Sequence, residues 1–254
     1  MRKKRILKIL TSTILILICV IIFFNPEFII QMFFRNHYFR KYIKNNQQIY
    51  FLGTDHSMSL DTEPFSYLEL KSVIENLKPD LVLIESRPEQ LDNSNWADGP
   101  PKMLYCHLIA NRLAIRVKGV DWWTVSSYNI PNSSNPIRDS YIHENIVKNI
   151  NLYKSKKILI IMGADHVILE QPKLESVGYK EAFFSVFEKN RLFKIHNKRL
   201  TYPKGMTYYI KKRIDYEKNC IGTIYKTNIW KNQALYLIKD LNREITMIEK
   251  AGEF

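Results

Sequence analysis

From residue 47 onward, short apolar runs alternate with stretches of helical spacing, the pattern of an α/β domain. Residues 48–53 (Gln-Ile-Tyr-Phe-Leu-Gly) predict a buried strand. Residues 63–77 follow as a helix, with Phe65, Leu68, Val73 and Leu77 on its apolar face and Lys78-Pro79 as its stop. A second strand is predicted over 80–85, a helix over 102–113 and an alternating third strand over 114–121. Asn135-Pro136 opens a helix over 137–153, and 157–163 is the fourth and most apolar strand. Residues 86–101 and 122–136 read as long loops, uncommon in compact domains unless they serve function. Beyond His166 the pattern weakens to a helix over 179–187, a strand over 192–196 and an amphipathic closing helix over 228–249. The expected fold is α/β, a central, largely parallel sheet flanked by helices.

Each of the four strands finishes in ionisable residues. The first runs into Gly53-Thr54-Asp55-His56, the second into Glu85, the third into Asp121 and the fourth into Gly163-Ala164-Asp165-His166. The first and last exits repeat apolar-apolar-apolar-Gly-small-Asp-His, 110 residues apart, so the chain carries two Gly-x-x-His strand-exit halves. Parallel α/β sheets bind ligands outside the carboxyl ends of their strands. Parallel and adjacent strands would therefore turn His56, Glu85, Asp121 and His166 into one cleft. Two imidazoles and a carboxylate suit a divalent metal with water in an open position, so His56, Glu85 and His166 are the candidate ligands. The same groups suit metal-free activation of water, with an imidazole as general base. Arg138 opens the 137–153 helix and is a candidate for holding a carboxylate or an oxyanion. Its neighbour Asp139 reads as an acid favouring the positive end of that helix.

Other polar residues carry weaker signals. His143-Glu144 starts no metalloprotease motif, since position 147 is Val. His37, His107 and His196 lack a partner at meaningful spacing and read as core or surface histidines. Trp96, Trp122 and Trp123 read as loop anchors. No phosphate loop, dinucleotide-binding glycine fingerprint or Gly-x-Ser-x-Gly elbow occurs. Three cysteines are too few for a disulfide scaffold, and pairing of Cys106 with Cys220 is left open.

The amino terminus has a different character. Met-Arg-Lys-Lys-Arg-Ile-Leu-Lys precedes sixteen residues (9–24) without a charge, the layout of a signal peptide or signal anchor. Phe23-Phe24-Asn25-Pro26-Glu27 offers no small-residue cleavage site, so the segment reads as a retained anchor, with 28–34 extending its apolar length. Residues 1–46 are assigned to this anchor and a basic linker, and 47–254 to the main domain. Five basic residues before the span and four soon after it tip the positive-inside rule towards a cytoplasmic amino terminus, with the main domain extracytoplasmic.

Charge distribution supports a membrane over a nucleic acid. The net +13 is concentrated at the ends: residues 1–50 hold nine Lys/Arg against one Glu, and 197–254 hold twelve against six acids. Residues 51–196 hold 17 basic and 18 acidic side chains, so the middle lacks the basic face that a nucleic acid requires.

Phe-Leu-Gly-Thr-Asp-His, then Lys-Pro-Asp-Leu-Val-Leu-Ile-Glu, Gly-Val-Asp and Ile-Met-Gly-Ala-Asp-His-Val together resemble the TraB/Tiki superfamily over residues 48–168. That group is similar to the erythromycin-esterase-like and haem-binding ChaN-like proteins. The resemblance implies an α/β fold with both motif histidines and the acid at the active centre. Carried over, His56 and His166 match the paired histidines and Glu85 the acid. Asp121 matches an acid after the third strand, and Arg138 an arginine opening the next helix. Arg87 stands closer behind Glu85 than the family's arginine does, and the anchor is amino-terminal where several relatives have it at the carboxyl end. The implied activity is hydrolysis of a peptide or ester by a membrane-anchored enzyme using a divalent ion of the Mn, Co or Zn class. The alternative is a non-catalytic membrane protein that sequesters a peptide pheromone or binds haem.

Overall fold

The computed structural model describes Thr11, Thr13 and residues 38–54, 65–94, 96–123, 136–197 and 199–254. His56, the 9–34 apolar run (Thr11 and Thr13 apart) and most of the 122–136 loop lie outside the described residues. Among the described residues, no helix is long and apolar enough to cross a membrane. Residues 38–254 form one compact unit.

Its chain order is β1 (Phe39–Lys44), β2 (Gln47–Thr54), α1 (Tyr67–Leu77), β3 (Leu81–Ile84), α2 (Pro88–Ser94), α3 (Pro101–Arg112) and β4 (Arg116–Gly119), then α4 (Pro136–Tyr153), β5 (Lys157–Gly163), α5 (Ala164–Ser176), β6 (Lys180–Glu181), α6 (Val186–Leu192), α7 (Met206–Thr223) and α8 (Asn228–Ala251). The mixed sheet has the order β4-β3-β5-β2-β1-β6. The four strands expected from the sequence are its parallel part, with β5 inserted between β3 and β2. Strands β1 and β6 add antiparallel pairs at one side.

Why these segments fold so is visible locally. Helix α1 starts at a capping box, Ser66 Oγ accepting from the Glu69 N–H while Glu69 accepts from the Ser66 N–H, and ends at left-handed Lys78 before Pro79. With the right-handed crossovers that parallel strands favour, the strand order puts α1 and α3 on one face of the sheet and α4 on the other. Both faces are covered, so β2, β3 and β5 carry continuous buried apolar runs, 49–52, 81–84 and 158–162, rather than alternating. Ile49, Phe51, Leu81, Leu83, Ile158, Ile160 and Met162 pack with Ile142, Ile146 and Ile150 of α4 and Val167 and Leu174 of α5.

Several sequence expectations are corrected. Residues 39–44, read as basic linker, form β1, whose Phe39 and Tyr42 are buried. The 86–101 loop contains helix α2. The helix expected over 179–187 is instead the two-residue strand β6 followed by α6, and the strand expected over 192–196 is the capped end of α6 and a turn. Helix α7 had no counterpart in the sequence pattern. Closing helix α8 spans 228–251 as expected, and Cys106 and Cys220 are each free and buried.

Two glycines let elements approach closely. A Cβ at Gly53 would stand 3.0 Å from Ala164 Cα and Val167 Cγ2, so this residue admits the first turn of α5 against β2. At Gly99 a Cβ would fall 1.9 Å from the Glu85 carbonyl oxygen. Gly99→Ala should therefore push the Glu85 backbone aside and lower stability by at least the ~1–3 kcal/mol typical of overpacking. Urea unfolding of the full chain checks this, and an unchanged midpoint would contradict it.

Candidate functional site

The strand order aligns three of the predicted acids and bases. Glu85 directly follows β3, its N–H extending the ladder to the Ile161 carbonyl at 3.1 Å. Asp121 stands two residues past β4, and His166 lies in the first turn of α5, which starts at once after β5. Arg138 and Asp139 occupy the first turn of α4. All five side chains are buried.

Arg138 is the hub. Its Nε donates to Asp121 Oδ1 at 2.8 Å, and Nη2 donates to Asp121 Oδ2 and to Glu85 Oε1, both at 2.9 Å. Such a fork fixes both carboxylates in orientation as well as charge. The second Glu85 oxygen accepts from the Gly163 N–H at 2.6 Å, at the positive end of α5. Asp121 Oδ1 also accepts from the Trp122 N–H at 2.7 Å, and the Trp122 ring stacks on Tyr141.

His166 joins from the other side. Its Nδ1 lies 2.9 Å from Asp139 Oδ1. A carboxylate only accepts, so Nδ1 carries the proton of this bond. Nε2 faces Glu85 Oε1 at 3.6 Å, too long for a hydrogen bond. In the neutral imidazole with its proton on Nδ1, Nε2 is the nitrogen free to act as base or ligand.

The helices holding these residues meet along a polar seam. Asp139 and His143 on α4 face His166 and Glu170 on α5, one turn apart on each helix, and His143 Nδ1 lies 2.9 Å from Glu170 Oε2. Lys173 closes the seam, donating to Glu170 Oε1 at 2.8 Å and to the Asp139 carbonyl at 2.7 Å.

A second network props the Glu85 turn. Asp98 accepts from Ser86 Oγ at 2.9 Å and from the Arg87 N–H at 2.8 Å, and Arg87 Nε reaches its other oxygen at 2.5 Å. Arg213 of α7 donates to the Asp98 and Gly99 carbonyls. The Arg87 guanidinium lies over Trp123, which stacks on Trp230 of α8. Arg87 thus braces a loop outside the Arg138 cluster.

Electrostatics follow from this crowding. Burial pushes Asp121 up from its ordinary 3.8 to about 6; Arg138 opposes the rise, while Glu85 and Asp98 add to it. Burial alone would lower the pKa of Arg138, yet Asp121 and Glu85 reverse that to a net rise, so the guanidinium stays charged. A carboxyl that holds its proton more tightly in the fold stabilises the fold while protonated. That contribution is complete below pH 3.8 and is lost as pH climbs through about 6. Between pH 4 and 6.5, the urea midpoint should accordingly fall faster with rising pH in the natural chain than in Asp121→Asn; equal slopes would refute the assignment.

Glu85, Asp121, Arg138 and His166 are therefore brought together, and His56 lies outside the described residues. The chain leaves β2 at Thr54, in register with Gly163, two residues before His56. Among the described residues, no three of His, Cys, Asp and Glu are grouped to hold a metal. The sequence pattern missed Asp139 as the His166 partner; its position beside Arg138 in a first turn was the available signal. Arg213 and Asp98 carried none. His107, read as a core or surface histidine, is a core one, paired with Asn111 at 3.0 Å and lowered to about 4 by burial.

The chain matches no family model, no curated protein and no solved structure.

Proposed function

We propose that this chain is a membrane-anchored hydrolase that cleaves a peptide or ester bond with His56, Glu85 and His166 at its centre. One observation carries the reading: His166 Nε2 stands 3.6 Å from Glu85 Oε1 while Nδ1 is held by Asp139. Metal-binding imidazoles characteristically give their other N–H to a carboxylate in this way. The donor set fits a divalent ion of the Mn, Co or Zn class, with Glu85 and His166 as two ligands and His56 as the third. When bound, such an ion supplies a water acidic enough to attack a carbonyl near neutral pH.

The chain's own residues have separable parts in this scheme. Asp139 fixes the His166 tautomer. Arg138 has Nε and Nη2 engaged by Asp121 and Glu85, which makes it a positioning residue for the acid rather than an oxyanion donor. The TraB/Tiki resemblance of the strand-exit motifs supports the same choice of residues. So does the apolar, basic-flanked 9–34 segment for the anchor, with the amino terminus in the cytoplasm and the unit from Tyr38 outside it.

Elemental analysis of the purified full chain tests this. The natural chain should retain a single Mn, Co or Zn ion that His166→Ala and Glu85→Gln both lose, and should cleave an added peptide or ester. Retention of intact peptide, with no metal lost in either variant, would instead identify a binder.

A further inference from the structure

The most exposed of the large apolar side chains of the described residues lie four positions apart in sequence, at the passage from β6 into α6. Phe183 and Phe187 are 89% and 87% exposed, and Val186 beside them is exposed as well. Isolated exposed apolar residues need no explanation, but two aromatic rings almost wholly in water on one short turn form a patch. Beneath it lies a cleft of about 380 Å³ lined by Phe39, Arg40, Glu181, Phe183, Phe184 and Lys189, among others. Arg40 bonds Glu181 at 2.6 Å, and the Lys189 ammonium stands over the Phe184 ring. Lys189 is buried; burial and then the nearness of Arg40 lower its pKa while Glu181 opposes them, and the cleft thus sets two cations against a single carboxylate. In the sequence that carries the patch, residues 180–194, and in the start of β1 beside it, Arg40, Lys41, Lys180, Lys189, Arg191 and Lys194 outnumber Glu181 and Glu188.

Where the preceding chain joins this unit points to the occupant. Strand β1 begins at Phe39, whose ring packs 5.1 Å from Phe184, directly beside the patch. The apolar run ends at Phe34, and the five Cα-to-Cα steps from there to Phe39 reach at most about 17 Å when fully extended. If 9–34 lies in a bilayer, as read above, the start of β1 is tethered within that distance of it. Because β1 is antiparallel, with Phe39 opposite Leu52, this is also the end of the sheet at which β2, β3, β4 and β5 finish.

We propose that Phe183, Val186 and Phe187 dip into the interface of an anionic bilayer, with Arg40 and Lys189 taking lipid phosphate in the cleft between them. Aromatic rings favour the interfacial zone, and basic residues beside it favour anionic lipid. The domain then lies with the Glu85–His166 end of its sheet towards the lipid, and substrates are drawn from molecules at the membrane surface.

The test uses the full chain with Cys19 replaced by Ser, since Cys106 and Cys220 are buried and will label poorly. Phe187→Cys carries an environment-sensitive fluorophore, Phe183→Cys provides an independent position, and Lys156→Cys reports from the opposite end of the sheet. Chains are reconstituted in vesicles of phosphatidylcholine alone or mixed with phosphatidylglycerol. At positions 187 and 183 the emission should shift to shorter wavelength and be quenched by nitroxide-bearing lipid in the anionic vesicles. It should revert towards the aqueous value in 1 M salt, where the Debye length is about 3 Å, and position 156 should stay aqueous. Arg40→Gln with Lys189→Gln should remove the preference for anionic lipid. An aqueous signal at 187 and 183 in vesicles that carry the chain overturns this inference alone, and a chain that does not float with the vesicles overturns the membrane anchor with it. Equal shifts in both lipids, or a shift that scales with protein density as contact between copies would, also overturn it.

Discussion

Replacing Arg138 with Met is expected to destabilise the fold by about 3–5 kcal/mol, the cost of leaving a buried ion pair without one partner. Here the removed guanidinium serves two acids, Asp121 at 2.8 and 2.9 Å and Glu85 at 2.9 Å, all within a few per cent of full burial. Neither carboxylate can turn to water without leaving its strand exit. Adding Asp121→Asn should return part of the loss, because the pair is coupled and its members do not add independently. Arg138→Lys should fall between, since one ammonium cannot reproduce the planar fork that reaches both acids. Denaturant unfolding of the four chains checks the order. A loss below about 1 kcal/mol for Arg138→Met would show the cluster to be solvated, contrary to its burial.

Much of this cluster was legible before any coordinates, and the reason is topological. A buried parallel strand must be apolar on both faces, so an ionisable residue at its carboxyl end stands out, as Glu85, Asp121 and His166 do. Arg138 was visible through a helix start signal. Residues that act across long sequence separations left no such mark: Arg213 reaches Gly99 over 114 positions. Helix α7 itself was hidden because its buried face includes Arg213 and Glu217, which blur the apolar period that reveals a helix. Strand β1 was hidden for a related reason. Three of its six residues are cationic, as suits a strand near a sheet edge, and Phe-Arg-Lys-Tyr-Ile-Lys reads as a linker until its pairing with β2 is known. Exposed aromatics misled the reading of 179–187, where Phe183 and Phe187 belong to no core.

The second large effect concerns chemistry. On the hydrolase reading proposed above, His166→Ala should reduce kcat by about 10²–10⁴-fold whether the imidazole holds the ion or serves as base, with a proportionate fall in bound metal in the first case. Asp139→Asn should cost less, about 10–100-fold, because it loosens the tautomer and orientation of His166 without removing the imidazole. Circular dichroism should show both variants folded, since the α4–α5 contact keeps its His143–Glu170 pair. Steady-state rates on one hydrolysable peptide or ester decide the outcome. Undiminished turnover in His166→Ala would remove this residue from the reaction.

The paired seam between α4 and α5 has a consequence for how the two helices are aligned. Acid and imidazole exchange helices from one rung to the next: Asp139 meets His166, and His143 meets Glu170. Sliding one helix by a single turn would set His143 against His166, or Asp139 against Glu170, like facing like. Only one alignment therefore matches at both rungs, and the seam works as a key that locks the two helices to a single offset.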